Sequence, residues 1–509
     1  MAEMIKLFVN GEEVEVESGK NLIDAIGAVG IEIPHFCYHP ALGADGNCRM
    51  CLVGIEDGRP PLVPACKTPA VEGMKVQLDA EKIKKIQRDV LEFELINHPV
   101  DCPVCDQAGE CSLQDYYMKY DCASSRMEVE QVKKGKKMDF GGGVVHDQER
   151  CVLCGRCVRF CRQITKTGEL GIVNRTDYAR VDIFPGRPLN NRYALNVVDL
   201  CPVGAMTSRD FRFKQRVWFL QKDKGICHGC SKGCNIYIDH NREKYKDDVI
   251  YRFRPRYNEQ VNGYFICDQG RLSYREENEG RLVESLKKGK KHDLADSIDR
   301  AKKTITKAKQ VLILVSPNLP IEQLVAVQHF AAGIGAEVSG YSDGYVLKGD
   351  GDDFLIQDDK AANRKGLELL GIDTGEASFF EKLEKADCFI CIDNDLRMVD
   401  EKKLNKCLSD TATIFLSAHL TPMVEKSDIA LPIASYTEYA GTIVNCDGVV
   451  QTFAVAVSKN NPVADVISTL QMLGGTLGSR EEILAAIHKS SGPLATVDFN
   501  QVPAEGLKL

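Results

Sequence analysis

Seventeen of the 21 cysteines in this 509-residue chain stand at or before Cys267, most of them two or three residues apart. The N-terminus, MAEMIKLFVN, enters a strand-like alternation directly, with no basic n-region, apolar stretch or cleavage site. That predicts a cytoplasmic protein without a signal peptide, where thiols stay reduced and disulfides are rare. Crowded thiols in such a chain point to metal or cluster ligation rather than a disulfide scaffold. The most constrained stretch is His98–Cys111, HPVDCPVCDQAGEC, spaced H-x3-C-x2-C-x5-C. A bend at Pro99 and the small Ala108 and Gly109 let four donors converge. Three thiolates and an imidazole suit a zinc ion or an iron–sulfur cluster, and this segment alone does not separate the two.

Composition narrows the function classes. The length predicts roughly three or four domains. A net charge of −8 and the lack of aromatic residues interleaved with a basic stripe argue against a nucleic-acid partner. The lysine groups Lys133–Lys137 and Lys287–Lys291 each surround a glycine and read as solvated loops. The run VLILV at Val311–Val315 is far short of the roughly 18 apolar residues of a membrane span.

Taken in chain order, IKLFVNGEEVEVE reads as a hairpin about Asn10-Gly11, and Ser18 is expected to cap a helix over Lys20 to Val29. Cys37, Cys48, Cys51 and Cys66 follow, spaced C-x10-C-x2-C-x14-C. Hairpin, helix and cysteine loop are how a plant-type ferredoxin domain begins, a type that holds a [2Fe–2S] cluster on four thiolates. The first gap is longer than the plant-type spacing. In ALGADGNCRMC the glycines and Asn47 let backbone N–H groups approach cluster sulfurs. A structural zinc site is the alternative.

Residues Ala80 to Asn97 form a helical pattern, with Ile83, Ile86, Val90 and Leu91 on the apolar face and Phe93 and Leu95 extending it. Pro99 ends it and leaves His98 at the C-terminal end, where a histidine could simply answer the helix dipole. Cys102, Cys105 and Cys111 follow at ligand spacing, with Cys122 in reserve if His98 is not a ligand.

The run Cys151, Cys154, Cys157 and Cys161 is C-x2-C-x2-C-x3-C, as in bacterial ferredoxins, but Arg162 stands where proline is expected. In two-cluster ferredoxins the fourth cysteine serves the other cluster. The Cys-Pro pair occurs later, at Cys201-Pro202. The simplest solution is one [4Fe–4S] cluster on Cys151, Cys154, Cys157 and Cys201, with Cys161 an unligated neighbour or the competing fourth ligand. Cys227, Cys230, Cys234 and Cys267 form a last group, C-x2-C-x3-C-x32-C, enclosing two strand-like runs. A [4Fe–4S] cluster fits it, and a zinc ribbon is the alternative.

From about Asp293 no ligand spacing recurs. Cys388 and Cys391 lie in the apolar run ADCFICIDND, which reads as a buried strand. QVLILVS, DCFICID and TIFLSA alternate with helical stretches, the signature of an α/β domain with a parallel sheet. No G-x-G-x-x-G follows a strand and no Walker A is present, so neither NAD nor ATP is expected to bind this chain.

The four sets in this order resemble the large (75-kDa-type) iron–sulfur subunit family of bacterial NADH:quinone oxidoreductase, respiratory complex I. The resemblance spans residues 1–280, and the module is shared with [FeFe]-hydrogenases and NAD-linked formate dehydrogenases. Asp428–Gln451 is similar to the pterin-pocket segment of the molybdopterin-oxidoreductase domain that follows in the family.

The resemblance implies a multidomain α+β and α/β chain. A β-grasp [2Fe–2S] ferredoxin domain would occupy 1–79, and a helical segment with a one-histidine, three-cysteine [4Fe–4S] site 80–122. A [4Fe–4S] ferredoxin-like domain would occupy 140–220 and a small β domain with a [4Fe–4S] cluster 221–280. A truncated molybdopterin-oxidoreductase-like α/β domain would occupy 285–509.

It implies a [2Fe–2S] cluster on Cys37, Cys48, Cys51 and Cys66 and three [4Fe–4S] clusters. These would be on His98, Cys102, Cys105 and Cys111; on Cys151, Cys154, Cys157 and Cys201; and on Cys227, Cys230, Cys234 and Cys267, the last off the main electron route. CDQGR puts Gln269 where molybdenum enzymes carry lysine, so no molybdopterin is expected. The implied role is an electron-relay subunit of an NADH dehydrogenase, with no complete active site of its own. Its partners would be a flavin- and NADH-binding subunit with its small [2Fe–2S] subunit and, downstream, a two-cluster iron–sulfur subunit toward quinone. Contact with the membrane arm would be indirect, at the inner face of the cell membrane. A soluble NADH-linked complex is the alternative setting, and a zinc-stabilised interaction protein the alternative class.

Overall fold

The computed structural model describes residues 3–56, 61–120, 124–128, 130–241, 249–458, 462–489 and 492–509. The chain divides into two compact units, Met1–Phe219 and Leu220–Leu509.

The first unit opens with the hairpin. Strands β1 (Met4–Val9) and β2 (Glu12–Glu17) pair antiparallel across Asn10 and Gly11. Both turn residues have positive φ, 51° and 89°, the geometry that makes Asn-Gly a hairpin turn. Helix α1 (Leu22–Ala28) then lays Leu22, Ile23 and Ile26 into the core. Ser18 does not cap it: its N–H donates to the Glu3 carbonyl (2.8 Å), Gly19 turns the chain, and Asn21 begins the helix. Strands β3 (Leu52–Ile55), β4 (Leu62–Pro64) and β5 (Lys75–Gln77) complete a mixed five-stranded sheet in the order β2-β1-β5-β3-β4, with β1 and β5 parallel.

Helix α2 (Glu81–Leu95) forms where the periodicity predicts. Its buried stripe is Ile83, Gln87 and Leu91, and Phe93 is 73% exposed. Steps of four keep the stripe on one face, whereas two residues beyond Leu91 the chain has turned roughly 200°. Phe93 therefore does not extend the apolar face. Helix α3 (Ser112–Tyr120) follows directly on Cys111. Further on, Arg156–Arg159 forms a turn of α-helix that widens into a π-turn over Phe160–Ile164.

In the second unit, Leu220–Ile226, Asn235–Asn241 and Ile250–Pro255 form an antiparallel three-stranded sheet. Beyond it stands a seven-stranded sheet whose centre is parallel: Ile429–Pro432, Ala412–Ser417, Cys388–Ile392, Val311–Val315 and Glu337–Ser339, in that spatial order. Val311, Ile313 and Val315 face one hydrophobic core, and Leu312 and Leu314 the other. Burial on both faces explains why these strands read as unbroken apolar runs. The Lys287–Lys291 group is a solvated hairpin, as expected, with Lys288 and Gly289 at its turn. Among the described residues no helix is long and apolar enough to cross a membrane.

Candidate metal centres

The loop between α1 and β3 carries Cys37, Cys48 and Cys51, and Cys66, just past β4, joins them. Cys37 is held well below the ordinary thiol value by hydrogen bonds from the Cys48 and Cys66 thiols and by the N–H groups of Cys48 and Gly46. Cys48 and Cys66 are pushed up in turn, the charge settling on Cys37. Cys51 falls to about 7 through its bond with Cys66. One set of sulfurs thus shares charge and faces backbone donors, including the Gly46 N–H anticipated from the loop's composition. This is how a protein stabilises anionic thiolates around a cluster.

The third set gathers around Cys201. Burial raises Cys151, Cys154 and Cys157, and each also feels Cys201 or a fellow member of the set. The Cys201 sulfur receives the N–H groups of Val203, Ala205 and Met206. Cys161 is fully buried on the π-turn, and its thiol bonds to Glu169, which with burial pushes it up to about 12. Its hydrogen bond is therefore made to a carboxylate rather than to the set.

In the second set, Cys105 lies within electrostatic reach of Cys102, and Cys111 of Cys105 and Cys201. Burial raises Cys111 to about 11 against the opposing N–H groups of Gln114 and Leu113 at the start of α3. His98 lies past the end of α2, its N–H bonded to the Leu95 carbonyl (3.3 Å). Burial pulls its ring down to about 4, so the imidazole is neutral near pH 7. It faces Asp101 and Arg150, the pair that also faces Cys105. Cys122, the reserve ligand, lies outside the described residues. The Lys133–Lys137 loop is only partly solvated: Lys136 pairs with Glu149 at 3.0 Å and Asp101 at 3.3 Å.

The fourth set belongs to the second unit. Cys227, Cys230, Cys234 and Cys267 lie within mutual electrostatic reach. Gly229 N–H points at Cys227 Sγ (3.4 Å) and Gly270 N–H at Cys267 Sγ (3.3 Å). A Cβ on Gly270 would stand 2.8 Å from Cys227 Sγ, so only glycine fits there. Cys388 and Cys391 are fully buried within a strand and join no set. Among the described residues no group of three or more His, Cys, Asp or Glu closes onto a single-ion site. The cysteines of the first, third and fourth sets lie within reach of one another, whereas His98 is placed beside Asp101 and Arg150 rather than against a cysteine.

Cysteine spacing gives no hint of the arginines around these sets. Arg150 is buried and grips Asp101 through Nε (2.9 Å) and Nη2 (2.6 Å). Arg159 donates to the Leu42 and Gly43 carbonyls (3.1 and 3.0 Å) and to the Cys37 carbonyl, tying the first cysteine loop to the third. Asn47 reaches the Leu153 carbonyl beside it (3.3 Å). One hydrophobic core contains Phe36, Cys37, Met50, Cys111, Val152 and Cys154, with Cys48, Cys151 and Cys201 packed against it. The signal in the sequence was the arginine content of CVLCGRCVRFCR.

The sets coincide with known families in chain order. Residues 2–81 match the 2Fe-2S iron-sulfur cluster binding domain, and 87–126 the NADH-ubiquinone oxidoreductase-G iron-sulfur binding region. Residues 141–207 match the NADH-quinone oxidoreductase subunit 3 ferredoxin-like domain, and 220–279 the molybdopterin oxidoreductase Fe4S4 domain. The first half of the chain is therefore a series of 2Fe-2S and 4Fe-4S cluster binding domains.

Over 272 residues the chain is 41% identical to the NADH-ubiquinone oxidoreductase 75 kDa subunit of Reclinomonas americana and 39% identical to the corresponding G-type NADH-quinone oxidoreductase protein of Rickettsia conorii. Over 346 residues it is 33% identical to the G-type protein of Pseudomonas fluorescens. These stretches cover 53%, 53% and 65% of this chain, but 38%, 39% and 38% of the relatives' own lengths. Among solved structures, a chain of an NAD+-reducing [NiFe]-hydrogenase in the H2-reduced state is similar at 25% identity and a TM-score of 0.37, covering 42% of this chain and 91% of that one. Through its first half the chain is a homologue of the 75 kDa, G-type iron–sulfur subunit of NADH-quinone oxidoreductase.

Proposed function

We propose that this chain is an electron-relay subunit of an NADH:quinone oxidoreductase. Cys37, Cys48, Cys51 and Cys66 hold a [2Fe–2S] cluster. Three [4Fe–4S] clusters are held by His98, Cys102, Cys105 and Cys111; by Cys151, Cys154, Cys157 and Cys201; and by Cys227, Cys230, Cys234 and Cys267. Clusters pass single electrons, so the NADH and flavin chemistry belongs to a partner subunit with its own small [2Fe–2S] protein. Electrons enter at the Cys37 set, cross the Cys151 set and leave at the His98 set toward a two-cluster iron–sulfur subunit. The complex stands at the inner face of the cell membrane.

The observation that carries the order is the shared core of the first unit. Cys154 lies within electrostatic reach of Cys37, and Cys201 of Cys111, so each flanking set comes close to a member of the third. The Cys151 set is therefore the middle station. What this chain supplies is fixed spacing and exclusion of water, both through that core.

We expect no molybdopterin in the second unit. The cavity beside Gln269 is about 260 Å³. Its cations Lys360 and Arg397 are already paired with Asp350 and Asp395, so neither is free for the phosphate of a pterin.

The test is Cys154→Ala in the assembled complex, reduced with NADH and followed by EPR. The relay predicts that the [2Fe–2S] centre still reduces while the His98 centre stays oxidised. Normal reduction of the His98 centre would overturn the order.

A further inference from the structure

Arg150, Arg156 and Arg159 are all buried, at 4%, 8% and 9% exposure. A guanidinium stays charged even in an interior, and an unpaired buried charge is strongly destabilising. Two of the three make several bonds, although Arg150 Nη1 and Arg159 Nε are also buried without a partner. Arg150 has the Asp101 carboxylate, with Asp147 at 3.5 Å, and Arg159 has three backbone carbonyls.

Arg156 has neither. Its Nη1 donates to the Leu200 carbonyl at 3.2 Å, and its Nε is buried without a partner. Among the described residues no carboxylate stands within ion-pair distance of it. The groups it does face are sulfurs that a bound cluster would hold as thiolates, Cys154 and Cys201 of the third set and Cys37 of the first. The other buried cation near this core is Arg159, which spends its donors on the carbonyls of the Cys37 loop. Phe36, Met50 and Val152 close the core around these cysteines, so little water screens the charge.

We propose that Arg156 is a counter-ion shared by two clusters, the one on the Cys37 set and the one on the Cys151 set, and that it holds up the reduction potential of both. This rests on the reading that both sets carry clusters. Each cluster gains one negative charge on one-electron reduction, and a fixed cation in a low-dielectric core favours that state. One guanidinium between the two raises the donor and the acceptor together. The difference between them is then left nearly unchanged, whereas a cation beside only one cluster would alter it. Arg159, bonded to the carbonyls of the Cys37 loop, keeps the two stations at a fixed separation while Arg156 sets their charge.

The experiment is an EPR-monitored redox titration of the full chain carrying Arg156→Gln or Arg156→Lys, with iron measured on the same samples. With iron unchanged, Arg156→Gln is expected to lower both midpoint potentials, each by at least a tenfold change in the one-electron equilibrium, or about 59 mV. Arg156→Lys is expected to recover most of both shifts. Loaded Arg156→Gln protein with neither potential moved, or with only one moved, overturns the proposal. If Arg156→Gln does not load, Arg156→Lys protein grown with 15N-arginine supplies the second readout. It should lose a nitrogen hyperfine coupling that the unaltered protein shows at both reduced centres. Loss at one centre only, or at neither, overturns the sharing. Absence of iron from the unaltered chain would instead remove the cluster reading itself.

Discussion

His98 differs from the other proposed ligands in being an imidazole, which ligates as a neutral ring where a cysteine ligates as a thiolate. Replacing a thiolate by imidazole removes a negative charge and raises a cluster's potential. His98→Cys should therefore lower the potential of that centre by about 59 mV or more, a tenfold change for one electron, in an EPR-monitored titration; an unmoved potential counts against His98 as a ligand. Gly204 matters for a different reason. A Cβ there would lie 2.3 Å from Cys105 Sγ, so Gly204→Ala should disturb the signal of the His98 centre while leaving the [2Fe–2S] spectrum intact.

Glu277 in the second unit is a matter of stability. Burial pushes its carboxyl up to about 7, against hydrogen bonds from Ser435 and Thr437. The folded chain then holds a proton that the unfolded chain releases above about 4.5. Stability falls as pH rises from about 4.5 to 7, and the full penalty is present above 7. Glu277→Gln should accordingly be more stable than the parent at pH 8, on the order of 2–3 kcal/mol, with the difference gone below about pH 4.5. Urea midpoints at the two pH values decide it.

At the scale of elements, what the sequence made legible was whatever repeats at short range. The Asn10-Gly11 hairpin, α2 and the strands at Val311, Cys388 and Ala412 form where alternation and periodicity put them. Cys388 and Cys391 show how context overrides a motif. Their C-x2-C spacing imitates a ligand pair, but five residues of unbroken burial make them strand core. Cys391→Val should leave iron content unchanged and cost less than about 1.5 kcal/mol, as volume-conserving core swaps do; a loss of iron would reverse that reading. Ser18 failed as a cap because the strand pairing carries the chain past it: Gly19 turns at positive φ and the helix begins only after Asn21. Phe93 looked apolar but falls off the buried stripe. The arginines between the cysteine loops were invisible for a related reason. Arg159 acts on Leu42 and Gly43, more than a hundred residues away, and spacing within one motif does not reveal what that motif grips.

On the scale of the whole molecule, the first unit holds a core that members of three cysteine sets share, beside a second core under the five-stranded sheet that takes in Cys51 and Cys66, and the second unit is a parallel sheet beside a small β domain with the fourth set. Charge follows the same plan: anionic sulfurs are met from within by backbone N–H groups and buried guanidinium groups. The central claim is that these sets hold clusters rather than single ions. Iron, acid-labile sulfide and zinc, measured together on the anaerobically purified full chain, test it most directly. One 2Fe and three 4Fe centres require about 14 iron and about 14 sulfide per chain, with little zinc. Stoichiometric zinc with little iron would contradict the account.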